Sequence, residues 1–193
     1  MSRLPDSAHT DLPWRIHELT EDFEIEDVWS LPTPGGADDL DQLVRQFASD
    51  DESELSGRIV RLLFALRWKL GALFGWDDSS AGIGKRVPSL RDRLPVDLRD
   101  GARGPDLRTV PFTSVYQTQT EWVAESANRT VHAVMHIGWV PDGSGNYRGQ
   151  MTALVKPAGL LGRGYMTAIT PFRRALVLPP LIRAIGREWN DRS

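Results

Sequence analysis

The feature that most constrains the fold is a change in the spacing of apolar residues in the second half of the chain. Between residues 112 and 156 the apolar positions alternate with polar ones, as in strands with one buried face. The links are short, and the PDGSG stretch at 141–145 has the composition of a hairpin loop. Because short links force neighbouring strands to run antiparallel, the sequence predicts an antiparallel meander. The four predicted strands are residues 112–118, 121–128, 129–140 and 146–156.

Helical spacing flanks this meander on both sides. Residues 40–47 have apolar side chains at i, i+3, i+4 and i+7, which predicts an amphipathic helix. Residues 55–76 are the longest helix candidate, and their apolar character on most sides is typical of a buried helix. Residues 157–189 keep one apolar stripe at helical spacing, and Pro179–Pro180 should kink or restart that helix.

The other segments give weaker signals. Residues 1–12 resemble a flexible tail, residues 15–25 a first strand, and residues 26–31 a short helical turn. Residues 77–106 are rich in Gly, Pro and charge, and predict a long connection that holds one short helical turn at most. Residues 158–171 fit either a continuation of the sheet or the start of the helix. The order of elements predicts an α+β fold in which the C-terminal helix covers an apolar sheet face.

Length and composition limit the class of protein. The 193 residues fit one domain, assigned to 13–190 behind the tail. The chain has no cysteine, which excludes disulfide and thiolate chemistry. The N-terminus lacks the apolar core of a secretory signal, and the longest apolar run, residues 175–182, is too short to cross a bilayer. We therefore expect a cytoplasmic protein without an integral membrane segment.

The charges are divided unevenly along the chain. Residues 1–57 carry 15 acidic and 3 basic side chains, a balance of −12, whereas residues 155–193 carry 7 basic and 2 acidic ones, a balance of +5. The two ends should attract each other within one fold or across a homodimer. The alternative is that the basic end contacts phosphates or an anionic membrane. The net charge of −3 argues against nucleic acid as a partner.

Two histidines, His132 and His136, lie four residues apart in the third predicted strand. Side chains alternate faces in a strand, so both share the mixed face opposite the apolar odd positions. Their separation of about 13 Å is too large for one metal ion or a direct contact. Glu121 and Glu125 are equally far apart and form no acid–base pair by themselves. The histidines are therefore predicted to be surface or inter-element residues that face away from the apolar side.

Three stretches resemble a bacterial domain-of-unknown-function family of the START-like, or SRPBCC, helix-grip superfamily. They are HAVMHIGWV at 132–140, YRGQMTALVKPAGLLGRGYM at 147–166 and PFRRALVLPPLIRAI at 171–185. The resemblance covers roughly residues 13–190. It implies a curved antiparallel sheet wrapped on a C-terminal helix, with helices inserted after the first strand and an apolar ligand held between sheet and helix.

Members of that family occur alone or fused behind NAD(P)-binding, short-chain-dehydrogenase-like domains. The resemblance therefore implies a short-chain-dehydrogenase-like protein as a possible partner. This chain itself carries no dinucleotide fingerprint, because the glycines at Gly82 and Gly84 have neither the Walker nor the Rossmann spacing. No cofactor and no metal are expected.

The function that these features favour is a binding module for a hydrophobic or amphipathic small molecule. One alternative is a cofactor-free enzyme of the cyclase or dehydratase type that uses a cavity carboxylate or histidine, although no catalytic motif is present. Another is an accessory interaction protein, and simple core packing without a cavity also remains open. The residues predicted to line the cavity are Tyr116, Met135, Ile137, Trp139, Tyr147, Met151, Phe172 and Leu176.

Overall fold

A computed structural model of the chain describes residues 2–49, 83, 87–107, 110–128 and 130–192. The helix predicted for residues 55–76 lies outside these ranges. The described part is an α+β fold built on one curved sheet of six antiparallel strands. The strands are β1 (Arg3–Leu4), β2 (Glu24–Ser30), β3 (Thr113–Gln117), β4 (Glu121–Ala127), β5 (Val131–Pro141) and β6 (Tyr147–Pro157). Their order across the sheet is β1-β2-β6-β5-β4-β3.

The predicted meander is confirmed, with each strand within two residues of its predicted bounds. Strands β5 and β6 pair over their whole length, from Val131 opposite Pro157 to Pro141 opposite Tyr147. In the loop between them, Asp142 accepts hydrogen bonds from the backbone N–H and the hydroxyl of Ser144, at 2.8 and 2.7 Å. The hydrogen bonds that hold this loop are made among its own residues, which explains why its local sequence was sufficient to predict it.

The prediction for residues 15–31 was wrong. Arg15–Leu19 form a 3₁₀ turn, and the strand that follows, β2, occupies the stretch predicted as a helical turn. β2 lies between β1 and β6, and Asp27–Ser30 at its end are all buried. The bulge between Ile25 and Asp27 interrupts the two-residue alternation by which strands are recognised in a sequence.

Residues 2–20 form a continuous layer on the sheet, which we call the N-terminal cover. Most of this segment, residues 1–12, was predicted to be a flexible tail, but residues 2–12 contain β1, which pairs with β2, and a short helix, α1 (Ser7–Thr10). The amide of Gln150 in β6 donates to the carbonyl of Ala8 at 2.9 Å. His9 in α1 has no exposed surface. The start of the chain is therefore part of the packed domain.

The C-terminal run is helical from Gly159 onward, which settles the open assignment of residues 158–171. A π-helical segment at Arg173–Val177 divides it into two α-helices. Pro179 and Pro180 lie in the first turn of the second α-helix, where their missing N–H groups break no helical hydrogen bond. The remaining α-helices are α2 (Leu40–Ala48), α3 (Val96–Arg99), α4 (Gly159–Phe172) and α5 (Leu178–Arg192).

Helix α2 was predicted correctly, whereas the described part of the 77–106 connection contains two short helical turns instead of one, Leu90–Arg93 and α3. None of the described helices combines the length and the apolar composition that crossing a membrane requires.

The sheet is buried on both faces. On one face, called the helix side, α2 and α5 pack against the strands around Trp29, Trp122, Ile137, Trp139, Met151, Ile182 and Trp189. On the other, called the cover side, the N-terminal cover and residues 90–98 contribute Trp14, Ile16, Leu19, Leu90 and Leu94. These pack against Tyr116, Val123, Val134 and Leu154 of the strands.

Two glycines of α4 provide a test of how this helix lies on the sheet. A Cβ atom on Gly162 would lie 2.2 Å from the carbonyl oxygen of Thr130, whereas one on Gly164 would meet nothing within 4 Å. Backbone atoms cannot move aside, so we expect Gly162→Ala to lower the free energy of unfolding by about 1–3 kcal/mol. Gly164→Ala should raise it by up to about 1 kcal/mol. Urea denaturation of both variants measures the difference, and equal effects would contradict the close approach of α4 to Thr130.

Candidate functional site

Five of the residues predicted to line a cavity share the helix side of the sheet. Ile137, Trp139 and Met151 are buried in its core, and Met135 and Tyr147 are partly buried at the edge of the same cluster. The prediction that the odd residues of β5 point into the core is therefore confirmed for Met135, Ile137 and Trp139.

This apolar face is closed at one end and partly open at the other. At the closed end, the indole N–H of Trp139 donates to the carbonyl of Gly36 at 2.8 Å, and α5 covers the strand. Toward the start of β5, the side chains of Val131, Ala133 and Met135 are only half-buried. Ala153, which pairs with Met135 from β6, is also half-buried. We call these four residues the open patch.

Tyr116 was predicted to line the same cavity, but it lies on the cover side. A β-bulge between Ser114 and Tyr116 shifts the register of β3 against β4. As a result, Val115 and Tyr116 both join the cover-side core, while the hydroxyl of Ser114 stays on the helix side and accepts from the indole N–H of Trp122 at 2.6 Å. A bulge reverses the alternation of faces beyond it, which two-residue spacing alone does not reveal.

Leu176 was also predicted as a lining residue, but 53% of its surface is exposed. It lies in the π-helical segment, whose wider turn shifts side chains away from the stripe that α-helical spacing predicts. Val177 and Leu178 are buried in its place. The side chain of Phe172, the last predicted lining residue, lies outside the described part of the structure.

A buried carboxylate joins the π-helical segment to the sheet. Asp27 of β2 is 1% exposed and follows a bulge between Ile25 and Asp27. It accepts hydrogen bonds from Nη2 of Arg173 and, at 2.6 Å, from Nε of Arg174, while Nε of Arg3 lies 3.4 Å away. The acidic and basic ends of the chain therefore attract each other within one fold, which confirms the first interpretation of the charge division.

The histidines and glutamates of the hairpin form two diagonal pairs on the cover side. Nε2 of His132 lies 2.8 Å from Oε2 of Glu125, and Nε2 of His136 lies 3.1 Å from Oε2 of Glu121. All four side chains are buried. The histidines face away from the helix layer, as predicted, and lie between elements. The antiparallel register of β4 and β5 produces the pairs, a signal that was missed because each strand was considered alone.

These glutamates also hold the layers that cover the sheet. Glu125 accepts from the Ser89 hydroxyl at 2.5 Å and from the Leu90 N–H, and Glu121 accepts from the Arg15 N–H at 2.9 Å. Burial alone would raise the pKa of Glu125, but hydrogen bonds from His132, Ser89 and Leu90 lower it below its usual range. Both carboxylates are thus ionised anchors. In the part of the chain that the structure describes, no group of three or more His, Asp or Glu residues is arranged to hold a metal ion.

Comparison with known proteins matches most of the chain to a protein family. The model of the family described as "Protein of unknown function (DUF2867)" matches residues 19–180, from the end of the first 3₁₀ turn into α5. No curated protein and no solved structure matches the chain. The matched span contains the open patch, the Asp27 cluster and both histidine–glutamate pairs, while residues 2–18 of the N-terminal cover lie outside it.

The Asp27 cluster can be tested against a surface ion pair of the same fold. Asp27→Asn removes the buried carboxylate from Arg173 and Arg174, whose side chains are 20% and 35% exposed, and leaves them Glu26 at 3.4 and 4.0 Å. We expect a loss of about 3 kcal/mol in the free energy of unfolding. In the control, Asp22→Asn breaks a pair with Lys156 whose side chains are about half exposed, and should cost less than about 1 kcal/mol. Equal losses in urea denaturation would show that Asp27 contributes no more than a surface charge.

Proposed function

We propose that this chain, which belongs to the DUF2867 family, binds a hydrophobic or amphipathic small molecule between its sheet and its C-terminal helices. The observation that carries the proposal is the division of the helix side into a closed end and an open patch. Around Ile137 and Trp139 the helices bury the strand, whereas Val131, Ala133 and Met135 on the same face of the same strand keep exposed apolar surface.

The chemistry of the open patch fits such a ligand. Ligand sites are lined mainly by apolar side chains with a few polar groups that fix orientation. The patch offers small aliphatic side chains and the flexible thioether of Met135, which adapts to irregular shapes. Half-buried Ser126 of β4 pairs with Ala133 and supplies a hydroxyl beside it. An amphipathic molecule therefore finds both an apolar surface and a hydrogen-bonding group.

The arrangement also supports the finer fold assignment that we propose, a START-like, or SRPBCC, helix-grip fold. A curved antiparallel sheet carries the C-terminal helices across one face, and α2 follows the early strand β2. In such a fold a ligand lies between sheet and terminal helix, which is where the open patch is found.

The buried carboxylates favour binding over the enzymatic alternative. A cyclase-like reaction requires an ionisable group that is free to exchange a proton with the ligand. Asp27, Glu121 and Glu125, the buried carboxylates in the described ranges, are each held by hydrogen bonds or ion pairs. Two of them also lie on the cover side, away from the open patch. The predicted partners, a short-chain-dehydrogenase-like protein or a second copy of the chain, and the cytoplasmic location stay predictions.

The proposal is tested by ligand capture and by a charge placed in the patch. Native mass spectrometry of the purified chain should show an added small-molecule mass that is lost on denaturation. With the neutral fluorophore Nile red as probe, Met135→Glu should weaken binding at least about tenfold, because a carboxylate in an apolar site must be desolvated.

The matched control is Leu160→Glu, at a side chain that is 85% exposed on α4, and it should leave the affinity for Nile red unchanged. Equal affinities in the two variants, or a chain that binds neither a cellular molecule nor the probe, would contradict the proposed site.

A further inference from the structure

All four histidines of the chain lie on the cover side of the sheet, and three of them are in ring contact. The ring centroids of His9 and His17 are 4.8 Å apart, and those of His9 and His136 are 5.0 Å apart, both in edge-to-face geometry. His9 and His17 belong to the N-terminal cover, whereas His136 belongs to β5. Imidazole rings thus form part of the contact between cover and sheet.

We propose that residues 7–20 of the N-terminal cover are closed by a pH-sensitive latch, in which protonation of His9 and His136 releases these residues from the sheet while β1 stays paired with β2. This proposal is independent of the function proposed for the helix side, because the latch lies on the opposite face.

The cover conceals apolar surface. Trp14, Ile16 and Leu19 are buried against the strands. Trp14 lies so close to β5 that a Cβ atom on Gly138 would be 2.7 Å from its ring. Opening the cover must therefore expose Trp14, Ile16, Leu19 and the strand residues beneath them, which we call the apolar strip. Residues 7–20 of the cover have few polar ties to the strands. These are the Gln150 bond to Ala8, the Thr152 contact with Nδ1 of His9 at 3.1 Å, and the Arg15 N–H bond to Glu121, whereas residues 2–4 are held separately by the pairing of β1 with β2.

The charged groups around the rings do not compensate a proton on His9. From β4, Glu121 is already shared between His136 and the Arg15 N–H. From β3, Tyr116 contributes a phenol near that same carboxylate, and from β6, Thr152 contributes an uncharged hydroxyl.

The charges of the cover itself are engaged elsewhere. Arg15 pairs with Glu18 at 3.0 Å and with Asp97 of α3 at 2.6 Å. Nε2 of His9 is buried, and no described residue bonds to it. A proton on His9 would therefore face two imidazoles and no carboxylate of its own among the described residues.

The direction of the pH effect follows from these surroundings. Burial, together with His136 and His17, lowers the pKa of His9 from 6.5 to about 3, and burial lowers the pKa of His136 despite its bond to Glu121. The neutral rings of His9 and His136 therefore stabilise the closed cover fully above pH 6.5. This stabilisation is lost as the pH falls from 6.5 toward the lowered pKa values of the two histidines. Once uncovered, both rings take up protons near their ordinary pKa of about 6.5. Each proton taken up raises the opening constant about tenfold per pH unit.

The latch is tested by hydrogen exchange on the full chain, measured by mass spectrometry between pH 7.5 and 4.5. The rates are corrected for the pH dependence of intrinsic exchange. Below pH 6.5 the opening constant of amides in residues 7–20 should rise by about one to two decades per pH unit, corresponding to one or two protons. Amides of β5 and β6 should stay protected over that range. Protection of the cover that does not change with pH, or that is lost together with the strands, overturns the proposal.

His9→Gln separates titration from packing, because an amide can still bond to Thr152 but cannot take up a proton. In this variant the rise of the opening constant of residues 7–20 with falling pH should be smaller by about one decade per pH unit. His132→Gln, which removes a histidine outside the ring cluster, should leave that rise as in the unaltered chain. A rise that is unaltered in His9→Gln excludes the latch, and the pH series on the unaltered chain decides the matter should that variant not fold.

Discussion

The pairing of β5 with β6 over eleven residues sets the arrangement of every other layer. Because side chains alternate, this register directs Ile137 and Trp139 to the helix side, and His132 and His136 to the cover side. A slip of one residue would exchange the two sets and place imidazoles against the C-terminal helices. The self-closing hairpin loop between the strands and the diagonal bonds from β4 hold the register in place.

Three local irregularities then adapt the regular sheet to its surroundings. The bulge in β2 and the π-helical turn each add a residue, and the ion pairs of Asp27 with Arg173 and Arg174 join them. Two guanidinium groups supply the counter-charge and the hydrogen bonds that a carboxylate buried at this depth requires. The third irregularity, the bulge in β3, turns Tyr116 toward the cover side, where its hydroxyl lies near Glu121, and so removes it from the helix side.

The parts of this structure that sequence predicted are those whose signals are local. The meander, its hairpin loop, α2 and the shared face of Met135, Ile137 and Trp139 follow from spacing and turn composition. The position of β2 does not follow from spacing, because the bulge between Ile25 and Asp27 interrupts its alternation. The Glu125–His132 pair depends on the register between two strands, and the position of Leu176 depends on a π turn. The spacing of apolar residues within a single segment predicts neither of these features.

One strand serves both proposed sites, with odd residues of β5 at the open patch and even residues under the cover. Coupling between two sites requires an element with two arrangements that both sites bias. β5 is a poor candidate for such an element, since hydrogen-bonded ladders with β4 and β6 hold it on both edges. Opening of the cover removes side-chain contacts from one face but leaves those ladders intact. We therefore expect pH to act on the exposure of the apolar strip near Trp14, and to leave the geometry around Met135 nearly unchanged.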